Sequence, residues 1–387
     1  MTERLRNFNW ISFAALVALI ALGTVAVWSS GNAREAAFHR VWIKHLEGAA
    51  VGLAAYFALA FADYRRLLDW FAKGPYLFAL VLLVAVLAVG SEIDGGRRWL
   101  WFFQPSEVAK LCVIAFVAQL FGGAEETFAG RRGFRGALVA AAVLGVPCAL
   151  ILLEPDLGTA LALVPAVLAM LLAAGVWRRG LLLALAVAGI LAAALLGVVA
   201  EAERPGVTPE KRERILACVP LKEHQVRRVK TFLFPESDPL GAGYNLRQAL
   251  IAIGSGGVGG KGIGRGESNH LKYLPPSVSM NDFIFCVWAE ETGFLGPLLL
   301  LALYGALCVS GVWVAWRATD GRGRLVAIGV STLVFVHVYV NIAMSIGLVP
   351  ITGIPLPFVS AGRTFLVTVT AGLGLIQSVS THREEIT

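Results

Sequence analysis

The chain has 387 residues, 57% of them hydrophobic and only 15% charged, against roughly 45–50% apolar and about 25% charged in soluble domains. That composition excludes a water-soluble enzyme. The net charge of +7 sits in short loops between apolar runs, a distribution that membrane topology explains and nucleic-acid binding does not.

About ten stretches approach the roughly 20 apolar residues needed to cross a hydrocarbon core. They are 10–28, 75–90, 137–153, 157–176, 181–199 and 326–349, with others beginning near Leu46, Val108, Phe283 and Phe358. The expected fold is all-α integral membrane, a single polytopic domain over 1–387 with about ten transmembrane helices. The first run follows Arg4 and Arg6 as a signal sequence does, but its length and the lack of a small-residue cleavage pattern make it a retained anchor. Lys and Arg in short connections set the orientation. Arg4, Arg6, Arg65, Arg66, Lys73, Arg131, Arg132, Arg135, Arg178, Arg179, Arg317, Arg322, Arg324 and Arg383 fall on one side, against Arg34, Arg40, Lys44, Arg97 and Arg98 on the other. Both termini are therefore expected in the cytoplasm of a bacterial inner membrane. Segments 29–45, 91–104, 154–156, 201–281 and 350–357 fall outside, and 201–281 forms the large external loop between the seventh and eighth spans. Cys112, Cys148, Cys286 and Cys308 lie in apolar runs and Cys218 stands alone, so no disulfide framework is visible. No HExxH-type spacing points to a metal.

Within the external loop, 211–230 is basic with apolar residues interleaved, as in a helix lying on a membrane surface. A short helix is expected over 245–253. Eight glycines follow between Gly254 and Gly266. They match neither a dinucleotide fingerprint, since no βαβ unit surrounds them, nor a P-loop, since Ser255 and Gly262 occupy the wrong positions. They suit either a plain flexible loop or an anion-binding nest with Lys261 and Arg265 beside it. Segment 283–316 would be about 50 Å long as one helix, too long for a straight crossing. Gly293, Gly296 and Pro297 mark the expected kink, with the first turns covered by protein. Trp177, Trp313 and Trp316 suit an interfacial belt.

Asp282 stands where the polar loop enters the apolar eighth span. It reads as an ordinary helix N-cap or as a carboxylate at a membrane edge able to act as a general base. Glu290 and Glu291, two turns further on, weigh toward function, because intramembrane carboxylates are costly. Gln104, Ser106, Glu107 and Lys110 open the fourth span, with Glu107 and Lys110 as i, i+3 partners; Lys110 is also a candidate diphosphate contact. Arg97, Arg98, Trp99 and Trp101 form a cationic and aromatic lip. Glu154 and Asp156 form an acidic turn, and 350–357 with Ser360 a proline-rich one. By the parity of the spans, all these share one face.

In this order the motifs resemble the SEDS family of shape, elongation, division and sporulation proteins, most closely its rod-shape branch. The resemblance rests on Arg97-Arg-Trp99 with Gln104-Pro-Ser-Glu107, Glu154-Pro-Asp-Leu-Gly-Thr159, Phe234-Pro-Glu-Ser-Asp-Pro239 with Gly243-Tyr244, Ala252-Ile-Gly-Ser-Gly-Gly257, Asp282-Phe-Ile-Phe285 with Ala289-Glu-Glu291, and Thr352-Gly-Ile-Pro-Leu-Pro-Phe358. It implies a ten-span fold and polymerisation of lipid II, with undecaprenyl diphosphate leaving. The implied partner is a class B penicillin-binding protein within the elongation complex, and the catalytic Asp falls on Asp282. Segments 276–282 and 360–365 depart from the family pattern.

The expected mechanism is inverting: Asp282 takes the proton of an acceptor 4-hydroxyl as it attacks the donor's anomeric carbon. Arg97, Arg98, Lys110, Lys261 or a divalent cation (Mg or Mn) balances the leaving diphosphate, with Trp99 and Ser360 as further substrate contacts. Gln104, Ser106, Glu107, Asp156, Gln248, Ser255, Glu290 and Glu291 are expected as supporting polar residues. The rival functions are a lipid II flippase, a division-specific paralogue and a non-enzymatic scaffold.

Overall fold

The computed structural model describes residues 5–32, 38–93, 96–101, 103–123, 133–154, 156–204, 206–217, 223–271, 273–275 and 278–383. Arg4, Arg34, Arg131 and Arg132 of the charge pattern, together with Pro155, Cys218, Pro276 and Ser277, lie outside them.

The chain is mostly helical because, in hydrocarbon, a helix satisfies every backbone polar group within its own segment. In order come α1 (Trp10–Asn32), α2 (Val41–Phe61), α3 (Tyr64–Phe71), α4 (Lys73–Val89), α5 (Pro105–Phe121), α6 (Phe134–Leu153), α7 (Leu157–Ala174) and α8 (Arg178–Ala202). The long connection then holds α9 (Pro209–Ala217), α10 (Glu223–Leu233), α11 (Ala242–Ser255) and the single turn α12 (Glu267–His270). A π turn, Val278–Asp282, leads into α13 (Ile284–Thr292), α14 (Leu295–Arg317), α15 (Gly321–Ser345) and α16 (Arg363–Thr381).

Among the described residues, α1, α6, α7, α8, α14, α15 and α16 are each long and apolar enough to cross a membrane. The pair α2–α3, bent by 95°, adds an eighth candidate. Asp63 makes that corner, capping α3 by accepting the Arg65 N–H at 2.9 Å. The 17-residue helices α4 and α5 fall short of a full crossing by length alone.

The centre of the bundle is α15 and α16, whose most apolar windows are 67% and 72% buried, while that of α8 is 6% buried and faces outward. Small residues let the central helices approach closely. At Gly374 of α16 an added Cβ would lie 2.7 Å from the Tyr56 carbonyl oxygen of α2, so only glycine fits that crossing.

The eighth span breaks where the glycines indicate. Gly293 takes φ 65° and ψ −156°, a conformation open to glycine alone. Ahead of the break, every residue from Ile284 to Glu291 is buried. One feature departs from the all-helical expectation: β1 (Ser91–Ile93) and β2 (Gly96–Trp99) form an antiparallel hairpin between α4 and α5.

Candidate functional site

Asp282 ends the π turn, in which the Phe283 N–H reaches the Val278 carbonyl at 2.9 Å. The proline-rich segment after α15 clamps this turn. Asn341 donates to the Asp282 carbonyl at 3.0 Å and to the Ile354 carbonyl at 2.7 Å. Ser360 donates to the Asn281 carbonyl at 2.6 Å and accepts the Leu356 N–H at 2.8 Å. The Ala361 N–H reaches the Met280 carbonyl at 3.1 Å. Ser360, expected as a substrate contact, is 1% exposed; from there its hydroxyl positions the backbone beside Asp282.

Asp282 lines a cavity of about 200 Å³ with Arg228, Thr231 and Phe232 of α10, Ala242 and Leu246 of α11, and Val349, Ile351 and Gly353. A Cβ added to Gly353 would lie 3.7 Å from Oδ2 of Asp282, so the proline-rich segment forms the near wall. Burial pulls the Arg228 guanidinium below its usual value and Arg98 adds repulsion, while the charges of Asp156 and Asp282 act the other way. An arginine stays charged in such a setting. The cavity therefore joins a cation to a carboxylate.

Arg228 was hidden in the basic run that the sequence assigns to a surface helix. The usable signal was periodicity: Arg228, Thr231 and Phe232 share one helical face at i, i+3 and i+4. Arg227 points elsewhere and pairs with Asp238 at 3.4 Å.

The hairpin brings a further cation, Arg98, within electrostatic range of Arg228. Alternation along β2 leaves Arg97 exposed and turns Arg98 inward, with Trp99 half-buried. Arg98 Nε donates to the Glu154 carbonyl at 3.2 Å. Asp156 caps α7, accepting the Thr159 N–H at 3.1 Å and hydroxyl at 2.8 Å. It also accepts Gln104 Nε2 at 3.1 Å, which ties the start of α5 to that of α7.

Glu154 is fully buried, and neither carboxylate oxygen has a hydrogen-bond partner among the described residues. Burial, then the charge of Asp156, pushes its carboxyl from 4.5 up to about 8, against the pull of Arg98. The folded chain thus keeps this proton at pH values where the unfolded chain has lost it. Stability falls as pH rises from about 4.5 to about 8. Glu154→Gln is expected to flatten that slope, read as Tm between about pH 5 and pH 8.5; a slope equal to the parent's would reject this account of Glu154.

Lys110 lies away from the cavity wall. It is fully buried in the helix bundle, with Nζ 2.9 Å from Glu107, 3.0 Å from His337 Nε2 and 5.2 Å from the Phe365 ring centroid. The i, i+3 pairing holds. Sequence reasoning did not single out His337, because a lone histidine in an apolar run carries no spacing signal. Ser106 is buried next to this pair, its hydroxyl without a hydrogen-bond partner among the described residues.

The glycine-rich loop does bind anions, and they belong to the chain itself. Lys261 Nζ lies 2.9 Å from Glu290 and 3.3 Å from Glu267. Glu290 also accepts the Glu267 N–H at 2.9 Å, the Ser268 N–H at 3.3 Å and the Ser268 hydroxyl. Glu291 accepts Ser29 Oγ at 2.6 Å. The N–H groups of Lys261 and Gly262 bond the carbonyls of Glu290 and Glu291 at 3.0 and 2.9 Å. The loop thereby encloses the two carboxylates, and Lys261 serves as the counterion of Glu290. Gln248 is half-buried on α11, and Ser255 is exposed with its hydroxyl donating to the Ala252 carbonyl at 2.9 Å. Among the described residues no group of three or more His, Cys, Asp or Glu is placed to hold a metal ion.

Comparison with known proteins matches this architecture. Residues 9–385 fit the profile of the FtsW/RodA/SpoVE family, described as cell cycle proteins. The peptidoglycan glycosyltransferase MrdB of Escherichia coli K12 is 36% identical over 378 residues, covering 95% of this chain and 92% of its own length. Among solved structures, a chain of a peptidoglycan synthase complex that coordinates polymerization and crosslinking superposes with a TM-score of 0.75 at 29% identity, covering 98% of this chain and 99% of that one. The rod shape determining protein RodA of Thermus thermophilus gives 0.66 at 27% identity, covering 98% of each chain.

Proposed function

Because the chain belongs to the FtsW/RodA/SpoVE family, the SEDS proteins, and is a peptidoglycan glycosyltransferase, we propose that Asp282 is its general base and that Arg228 and Arg98 balance the leaving diphosphate. The carrying observation is the cavity that brings Asp282 and Arg228 together, with Arg98 and Asp156 in electrostatic range.

The substrates are two lipid II molecules. The 4-hydroxyl of the acceptor gives its proton to the Asp282 carboxylate as its oxygen bonds to the anomeric carbon of the donor. The bond from that carbon to the diphosphate breaks, and the electron pair leaves with undecaprenyl diphosphate. An α-linked donor becomes a β-linked product, so one in-line inversion suffices, as in inverting glycosidases with a carboxylate base. Arginines held in a desolvated site need no reorganisation as the leaving charge develops. The cavity of about 200 Å³ is smaller than typical ligand pockets of roughly 300–1,000 Å³; it encloses only the reacting ends, and the lipid chains lie outside it.

Ten crossings with both termini cytoplasmic put this end of the bundle on the outer face, where lipid II is presented. α4 and α5 supply the two shorter crossings. A class B penicillin-binding protein crosslinks the emerging strand, and the role is in elongation.

The test is polymerisation of lipid II by the purified chain, with and without the crosslinking partner. Arg228→Gln is expected to lower the rate by about 10²–10³, with partial recovery in Arg228→Lys. Translocation in vesicles is scored separately. Lipid II flipping without polymer formation by the parent protein, or a parental rate in Arg228→Gln, removes the proposal.

A further inference from the structure

At the end of the bundle opposite Asp282 lies a second cavity, of about 660 Å³, between the start of α1, the last turns of α14 and the end of α16. The separation follows from α1. Ser29 and Ser30, near its C-terminus, bond Glu291 and Ser279 beside the catalytic turn, whereas Trp10, its first residue, lines the second cavity. The 23 residues of α1 put about 34 Å between the two ends.

Among the described residues, every charged one lining this cavity is an arginine: Arg6, Arg317 and Arg383. Its floor is built by polar contacts that join the start of the chain to α16. Ser380 donates to the Asn7 carbonyl at 2.7 Å, and Asn7 donates to the Arg383 carbonyl at 3.4 Å. The Arg317 guanidinium lies 4.2 Å above the Trp313 ring, which fixes it at the rim. The side walls are apolar and open: Trp10, Val309 and Trp313 line the cavity while remaining 58%, 71% and 49% exposed. In a membrane these surfaces meet acyl chains.

We propose that this cavity binds an anionic phospholipid, its phosphate held by Arg6, Arg317 and Arg383 and its acyl chains laid against α1 and α14. Guanidinium groups bind phosphate oxygens through paired, charge-assisted hydrogen bonds, and basic pockets between spans on the cytoplasmic side suit anionic headgroups. The volume lies within the usual range for ligand pockets. A lateral apolar opening distinguishes a lipid from a free anion, which would need only the polar floor.

The experiment is native mass spectrometry of the full chain in detergent, titrated with phosphatidylglycerol and, separately, with phosphatidylcholine of the same acyl composition. Phosphatidylglycerol is expected to bind much the tighter. In the double variant Arg317→Gln/Arg383→Gln its affinity is expected to drop by roughly 30-fold, while Arg317→Lys/Arg383→Lys retains most of it. Equal binding of the two lipids overturns the proposal, as does parental phosphatidylglycerol affinity in the Gln variant. Displacement of the lipid by inorganic phosphate at matched concentration also overturns it, assigning the site to a free anion. The comparison of the two lipids uses the parent protein, so the result stands even if the Gln variant does not fold.

Discussion

Asp282→Asn is expected to lower the initial rate of lipid II polymerisation by about 10²–10⁴, with little change in the apparent substrate affinity. The substitution keeps shape and volume and removes only basicity. The backbone at this position is fixed from outside the side chain, by Asn341 on the Asp282 carbonyl and by Ser360 on the Asn281 carbonyl, so the turn is expected to stay folded. A binding role for the carboxylate would appear differently, as a raised KM with kcat intact. Initial rates over a range of lipid II concentrations, with Tm as the folding control, separate these cases. A fully active Asn variant would falsify the general-base assignment and leave Arg228 without a catalytic partner.

The parts of the site legible in the sequence are those where one residue is anomalous against its own segment. Asp282 is a charge at the edge of an apolar run, and Gly293 interrupts a helix too long for one crossing. Both were visible without a fold. Arg228 was not, because a basic residue among basic residues carries no local contrast; its meaning comes from α11 and the proline-rich segment, which close the cavity around it. The hairpin 91–99 escaped for a related reason: three- and four-residue strands are too short to establish a period of two. The glycine loop read equally as a plain flexible connection or an anion-binding nest. Its occupants are Glu290 and Glu291, and only the tertiary fold brings Glu290, 29 residues from Lys261, and its neighbour Glu291 into the loop. Intramembrane carboxylates invite a functional reading, yet these two are held by Lys261, Ser268 and Ser29 and brace the break before α14.

The same distinction between architecture and chemistry decides Lys110. Lys110→Met is expected to destabilise the folded protein by about 3–5 kcal/mol, because it leaves the Glu107 carboxylate, 3% exposed, without its counterion. His337 does not replace that charge, since its Nε2 faces Lys110 and its Nδ1 bonds the Leu333 carbonyl at 2.9 Å. The double variant Glu107→Gln/Lys110→Met removes both charges and is expected to be more stable than Lys110→Met alone, since replacing a whole buried pair is often close to neutral. Such non-additivity marks direct coupling. Thermal unfolding in detergent across the parent, the two single variants and the double measures it. If Lys110 instead grips the diphosphate, Lys110→Met leaves Tm near the parent value and lowers the polymerisation rate, and adding Glu107→Gln gives no recovery of stability. A buried, paired lysine predicts the opposite order: the single variant is lost from the folded fraction first, and the double polymerises at whatever rate its restored fold allows.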